Sequence, residues 1–313
     1  MTKYKYAWQF DAKGHPLILK NKPLQSLTSN QILVENLYAG INPVDWKFIE
    51  FNPMNWPIDQ IPGVDGVGKV IAVHNEEHQH LVGKTVVYHT SLHVDGSFSS
   101  HVILYANRVM LLPEGMSLAV AAALPCPLLT AWQAFCKIPV KANQNVLLTG
   151  MGAVNKLLTQ LLVQAGFHVD VISKSLKNEE AKTLNIRELY RDMPENKNYY
   201  AIFDSNGKAS ATALVPYLKA NGHIICILGR IDTPVDEAFT RTISYHEIAL
   251  GALHTYGTDL DWQELMNEGQ ILLENIARGH MVIETPTEFC FDKLNDALDF
   301  SRNKQQKAVV KIS

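Results

Sequence analysis

Gly150 and Gly152 stand one residue apart, directly after an apolar run (Val146 to Thr149) and directly before a stretch with helical apolar spacing. In a dinucleotide fold the first such glycine makes a tight turn and the second lets backbone approach a pyrophosphate. The phosphates then rest on the N–H groups at the positive end of the next helix, here opened by Ala153 and Val154. The third glycine of such a loop is replaced by Asn155, whose side chain requires some shift of the helix. The same strand–turn–helix also occurs as a purely structural unit, and that alternative stays open.

The next apolar run ends at Ser173-Lys174-Ser175, with Lys177 behind it. A site selective for NAD places Asp or Glu near this point for the ribose hydroxyls, whereas a hydroxyl and an ammonium attract a 2′-phosphate. The chemistry predicted is NADPH binding through Ser173 and Lys174, against the alternative of a solvated strand end. Asp170 falls mid-strand, too early for the ribose. Tyr88 and His89 follow another strand and offer a proton to a reduced substrate if they face a cleft. Trp46, Phe48, Phe51 and Trp56 either line a pocket for a flat molecule or pack the body around them.

These residues need two kinds of scaffold. Up to about Pro113, short runs rich in Val, Ile and Tyr (Ile32 to Ile41, Gly66 to His74, Gly83 to Thr90, Ser99 to Tyr105) are bounded by Gly, Pro, Asn and Asp. This predicts an antiparallel, partly barrel-like body. From Leu118 the pattern becomes strand, helix, strand, helix, with strands expected over Asn145 to Gly150, Phe167 to Ser173, Tyr199 to Ser205 and His223 to Gly229. Continuous apolar strands alternating with helices predict a doubly wound parallel sheet. The stretch ATALVPYLKANG reads as helix ended by Gly222. A long helix is expected over Asp261 to Arg278 and a terminal strand in KAVVKI. The predicted division is 1–117 with 255–313 as a discontinuous β-rich substrate domain, and 118–254 as a Rossmann domain.

Composition excludes several classes. With 28 Lys and Arg against 31 Asp and Glu, the formal charge of −3 gives no basic footprint for nucleic acid. The apolar stretch Leu118 to Phe135 is broken by Pro125 and Pro127, so it reads as two helical pieces rather than a membrane span. Four scattered cysteines form no disulfide framework, and the N-terminus has no apolar signal core. A soluble, cytoplasmic protein is expected.

Together AGINPVD (Ala39 to Asp45), PGVDGVG (Pro62 to Gly68), VGKTV (Val82 to Val86), GSFSSHV (Gly96 to Val102), LPCPLLTAWQAF (Leu124 to Phe135), the GMGAVN loop and KAVVKI resemble the medium-chain dehydrogenase/reductase superfamily, the zinc-type alcohol dehydrogenase-like group. Within it they resemble the zinc-independent quinone oxidoreductase-like branch. The resemblance implies a GroES-like β-rich domain around a Rossmann domain. It implies that Asn42 and Thr130 lie beside the nicotinamide, that Gly229 lies near the cofactor, and that Lys307 matches a C-terminal Gly-Lys element whose glycine is here Gln306. Asp45 and Lys47 match an N-P-x-D-x-K pattern; they form an ion pair, position the loop or relay a proton. Zinc-dependent relatives carry ligands where Asn42, Val64 and Cys126 stand, and one thiolate does not hold zinc; no metal is expected, with Cys126 a buried, inert thiol.

Without a Lewis acid, a quinone or α,β-unsaturated carbonyl is the suitable hydride acceptor, already electrophilic. The expectation is an NADPH-dependent, zinc-free oxidoreductase with Asn42, Asp45 and Lys47 at its catalytic centre. It has a small-molecule quinone or conjugated carbonyl as partner, no nucleic acid and no membrane. A non-catalytic nucleotide-binding or regulatory protein of the same fold is the alternative, and a zinc-dependent alcohol dehydrogenase stands further off. Glu247 to His254 is expected to be the edge strand of the Rossmann sheet, through which a homodimer would pair.

Overall fold

The computed structural model describes residues 3–195 and 198–313. The chain divides into two units. One comprises residues 1–126, 251–280 and 284–313, and the other residues 127–250 and 281–283. The first therefore keeps the helix Leu118–Ala123, which the sequence pattern assigns to the second.

The first unit is built on a seven-stranded sheet. Its central strand, Gln31–Ile41, pairs antiparallel with Asp65–Val73, His101–Tyr105 and Ala308–Lys311. The last of these comes from the far end of the chain, so both termini build one body. Buried residues alternate over Gln31–Leu37, as a one-sided sheet requires, and Tyr38–Ile41 are buried throughout. Ala7, Trp8, Phe10, Ile41, Trp56, Phe98 and Leu294 fill the core on one side. The strand register decides which polar residues meet. Gly40 lies opposite Asp65, Asp65 opposite His89, and Ile41 opposite Ala308. A Cβ on Gly40 would lie 2.0 Å from the Ala122 carbonyl oxygen, so only glycine lets the helix Leu118–Ala123 settle on this sheet.

The second unit is a six-stranded, all-parallel sheet. Its spatial order is Glu188–Tyr190, His168–Ile172, Asn145–Thr149, Tyr199–Asp204, Leu218–Cys226, Ser244–Glu247. That is the 3-2-1-4-5-6 order of dinucleotide-binding sheets, with its switch point between Asn145–Thr149 and Tyr199–Asp204. Two expectations are corrected here. Helix Lys208–Leu214 gives way to a short 3-10 turn at Val215–Tyr217, because Pro216 lacks the N–H and clashes with further helix; strand then starts at Leu218. The edge strand ends at Glu247, and Leu250–Ala252 and Leu253–Tyr256 are helical. Among the described residues no helix is long and apolar enough to cross a membrane.

Candidate active site

In the second unit, Gly150 has φ 77°, a conformation that glycine adopts without strain, and its N–H donates to the Ile172 carbonyl at 2.9 Å. Gly152 is the N-cap of helix Ala153–Gln164, and no side chain caps that end. A Cβ at Gly152 would meet nothing within 4 Å. The first-turn N–H groups of this helix, Ala153 and Val154 among them, are capped by no side chain, and Gly152 leaves room in front of them, an arrangement that suits a pyrophosphate. Asn155 does more than fit. Its buried Nδ2 donates to the carbonyls of Thr149 (3.0 Å) and Gly150 (2.9 Å) and to Ser205 Oγ (3.2 Å). The side chain that replaces the third glycine pins the loop to both strands of the switch point.

The end of strand His168–Ile172 carries Ser173, buried, whose Oγ accepts from the Leu176 N–H at 3.1 Å, and Lys174, exposed. Asp170 is buried and held by the guanidinium of Arg187 at 2.8 and 2.7 Å and by the Tyr199 hydroxyl at 3.0 Å, so this carboxylate is structural. Sequence reasoning missed Arg191. It reaches the same strand end and donates to the Ser173 carbonyl at 2.6 Å and the Leu176 carbonyl at 2.9 Å. Gly229, with φ 76°, follows the carboxyl end of strand Leu218–Cys226, and Thr130 lies half-buried on helix Pro125–Phe135.

In the first unit the strand register gathers a polar cluster. Asp65, fully buried, accepts at Oδ1 from His89 Nδ1 (2.8 Å) and at Oδ2 from Asn42 Nδ2 and the Cys126 N–H (both 2.8 Å). Asn42 Oδ1 accepts from Lys307 Nζ at 2.5 Å. Neighbouring strands thus line up Lys307, Asn42, Asp65 and His89 as one hydrogen-bonded row. Burial pulls Lys307 below the usual lysine range, against the attraction of Asp65, Cys126 and Asp45.

Asn42 and Asp45 also explain the N-P-x-D spacing. Asn42 is the N-cap of helix Pro43–Phe51, Pro43 the first helical residue, and Asp45 Oδ2 accepts the Asn42 N–H at 2.7 Å. Asp45 Oδ1 accepts from the Val64 N–H at 3.2 Å. The expected ion pair with Lys47 is not formed: a carboxylate at this helix position reaches back to its own N-cap, and Lys47 lies 5.4 Å over the Trp46 ring. Burial, with a further push from Asp65, raises Asp45 to about 7, against the two N–H donors and Lys307. Its folded pKa exceeds the unfolded one of ~3.9, so its stabilising contribution is complete below that value and is lost as pH rises towards the folded pKa. Between about pH 5 and about pH 8 the chain should lose on the order of 3 kcal/mol relative to Asp45→Asn, measured by urea unfolding of both proteins.

Tyr88 is fully buried and donates to Asn36 Oδ1 at 2.7 Å, so of the two neighbours only His89 belongs to the site. Trp56 packs on Phe10 and Phe48, and Trp46 and Phe48 adjoin the same core, while Phe51 is exposed; this aromatic group is packing. Cys126 is half-buried beside Asp65 rather than sealed in apolar surroundings.

The residues at the positions of the zinc ligands do not suit the metal. Val64 has no donor, and the Asn42 amide is taken up by Asp65 and Lys307. A different trio, Asp65, His89 and Cys126, offers ligand atoms within 4.8 Å of one another. Both Asp65 oxygens already accept hydrogen bonds, and the Lys307 ammonium lies within electrostatic reach of Asp65 and Cys126. A metal cation there would have to displace these hydrogen bonds and compete with the Lys307 ammonium for the same carboxylate.

The alcohol dehydrogenase GroES-like domain family matches residues 28–114. The chain is 25% identical over 315 residues to the 2-methylene-furan-3-one reductase of Solanum lycopersicum, spanning 94% of this chain and 75% of that protein. An alcohol dehydrogenase superfamily protein from Novosphingobium aromaticivorans superposes with TM-score 0.87 at 20% identity, covering 99% of this chain and 100% of that one. A Bacillus thuringiensis protein provisionally assigned as an NADPH:quinone reductase gives 0.83 at 21% identity and 100% of both chains. These structural likenesses speak for the fold. With the matched domain and a relative aligned over 94% of this chain, the chain is similar to members of the medium-chain dehydrogenase/reductase superfamily.

Proposed function

We propose that this oxidoreductase uses NADPH, without zinc, to reduce a quinone or an α,β-unsaturated carbonyl. The observation that carries this reading is the row Lys307–Asn42–Asp65–His89, in which an ammonium bonds Asn42, one of the three positions expected to hold a zinc ligand in zinc-dependent relatives, and a buried carboxylate orients the His89 imidazole. The reductase activity named for the tomato relative supports the substrate class.

NADPH supplies the hydride when bound. The first turn of helix Ala153–Gln164, with Gly150 and Gly152, would hold the pyrophosphate, and Ser173, Lys174 and Arg191 the 2′-phosphate. Asp65 fixes His89 by its Nδ1, leaving Nε2 to pass a proton to the reduced product, as a carboxylate orients a catalytic imidazole. Asp65 is here a positioning residue. Lys307 keeps the Asn42 amide turned with its Nδ2 on Asp65.

Titration of NADPH and NADH by nicotinamide fluorescence tests the cofactor half: NADPH should bind more tightly. No binding of either at millimolar concentration would leave the proposal without its reductant, and tighter NADH binding would overturn the role given to Ser173, Lys174 and Arg191. Metal analysis of active protein tests the other half, since stoichiometric zinc that activity requires would contradict it.

A further inference from the structure

The β-rich unit contains a cavity of about 490 Å³, within the range of small-molecule sites. His89 forms part of its wall, together with Lys5, His93, Asp95, Arg108 and His254. Arg108 is the unusual member. Its guanidinium lies 4.5 Å over the Tyr105 ring and 4.8 Å over the Trp262 ring, so its plane is fixed. Among the described residues it makes no ion pair, and its Nε is buried without a hydrogen-bond partner. Asp259 acts on it electrostatically but is not ion-paired with it and accepts instead from Asn107 at 2.9 Å.

Arg108 is half-buried, and the Nε edge of its guanidinium is withdrawn from water with no acceptor, a cost that an anion in the cavity would offset. The rest of the wall does not supply one. Asp95 already faces two ammonium groups, Lys5 at 3.2 Å and Lys22 at 2.8 Å. The histidine beside Arg108 is neutral: burial, with His89, Arg108 and His93 nearby, takes His254 down to about 3. Its ring stands 5.6 Å from His89 and 4.7 Å from Trp262, so ring contacts run continuously from the proposed proton donor to the anion-seeking Arg108.

Resting on the proposed reductase activity, we infer that the substrate is a conjugated carbonyl compound that also bears a carboxylate, with Arg108 receiving the carboxylate in this cavity while the reducible end lies towards His89. Arg108 is then a specificity-determining residue.

The test compares benzoylacrylate with its methyl ester as substrates, and measures calorimetric binding of benzoylpropionate, the saturated acid, which needs no turnover. The acid should exceed the ester in kcat/KM by about 10- to 100-fold, the range of a hydrogen-bonded charge pair. Arg108→Met should remove about that factor for the acid, with Arg108→Lys between, and leave the ester within about 3-fold. Benzoylpropionate should bind the wild type and weaken in both variants. An ester reduced as well as the acid, or both substrates equally impaired in Arg108→Met, would overturn the inference; the wild-type comparison decides even if a variant fails to fold. Arg108-dependent binding of benzoylpropionate with no turnover of either substrate would sustain the anion site and sink the reductase reading instead. Absence of both binding and turnover would sink both.

Discussion

Replacing Asp65 with asparagine should lower kcat for NADPH-dependent reduction by about 10²- to 10⁴-fold while leaving a folded protein. The carboxylate has no exposed surface and accepts three hydrogen bonds, from His89, Asn42 and the Cys126 N–H. Asparagine keeps the shape but offers one acceptor and one donor in place of two acceptors, so either His89 takes the wrong tautomer or a donor faces a donor. Asp65→Ala should go further. It strands three donors in a buried space, each costing about 1–3 kcal/mol, and lowers the melting temperature as well as the rate. The two readouts separate roles: a pH–rate profile that loses its acidic-group dependence in Asp65→Asn marks orientation of His89, whereas equal loss of stability and rate in both variants marks scaffolding alone.

The second large effect is expected at Gly152, where the signs of stability and binding should diverge. Gly152 has φ −76° and ψ −179°, open to any residue, and a Cβ there would meet nothing within 4 Å. An aspartate in this place is a good N-cap for helix Ala153–Gln164 and should leave the melting temperature unchanged or raise stability by a few tenths of a kcal/mol. The same carboxylate would stand where the pyrophosphate must come. Like charges about 5 Å apart repel by roughly 3 kcal/mol at the effective dielectric of a protein surface, so the Kd for NADPH should rise by about 100-fold or more. Thermal melting and nicotinamide fluorescence on Gly152→Asp check both signs; unchanged affinity would mean that the loop holds no phosphate.

What the sequence made legible was local. Gly150 and Gly152 announce themselves because strand, turn and helix are contiguous, and Asn42-Pro43-x-Asp45 because it spans one helix start. The reading of Asp45 and Lys47 as an ion pair failed for a local reason too, since the carboxylate caps its own helix instead. Asp65 was hidden inside what reads as a glycine-rich turn. It becomes a site residue only through the register of Gln31–Ile41, Asp65–Val73 and Thr85–His89, which puts Asp65 beside Asn42 and opposite His89. Likewise Asn155 looked like a steric burden because one of its partners, Ser205, is fifty positions away. Arg108 carried no motif; its meaning lies in the two rings around it and in the carboxylate that is not paired with it.

The most direct measurement is NADPH oxidation by a quinone, followed at saturating cofactor with protein treated with chelator and verified free of zinc. A zinc-free reductase retains its full rate, shows no gain when zinc is restored, and loses its rate in Asp65→Asn. Activity that disappears with the metal and returns with it would show that Asp65, His89 and Cys126 serve as its ligands, and that Lys307 does not take its place.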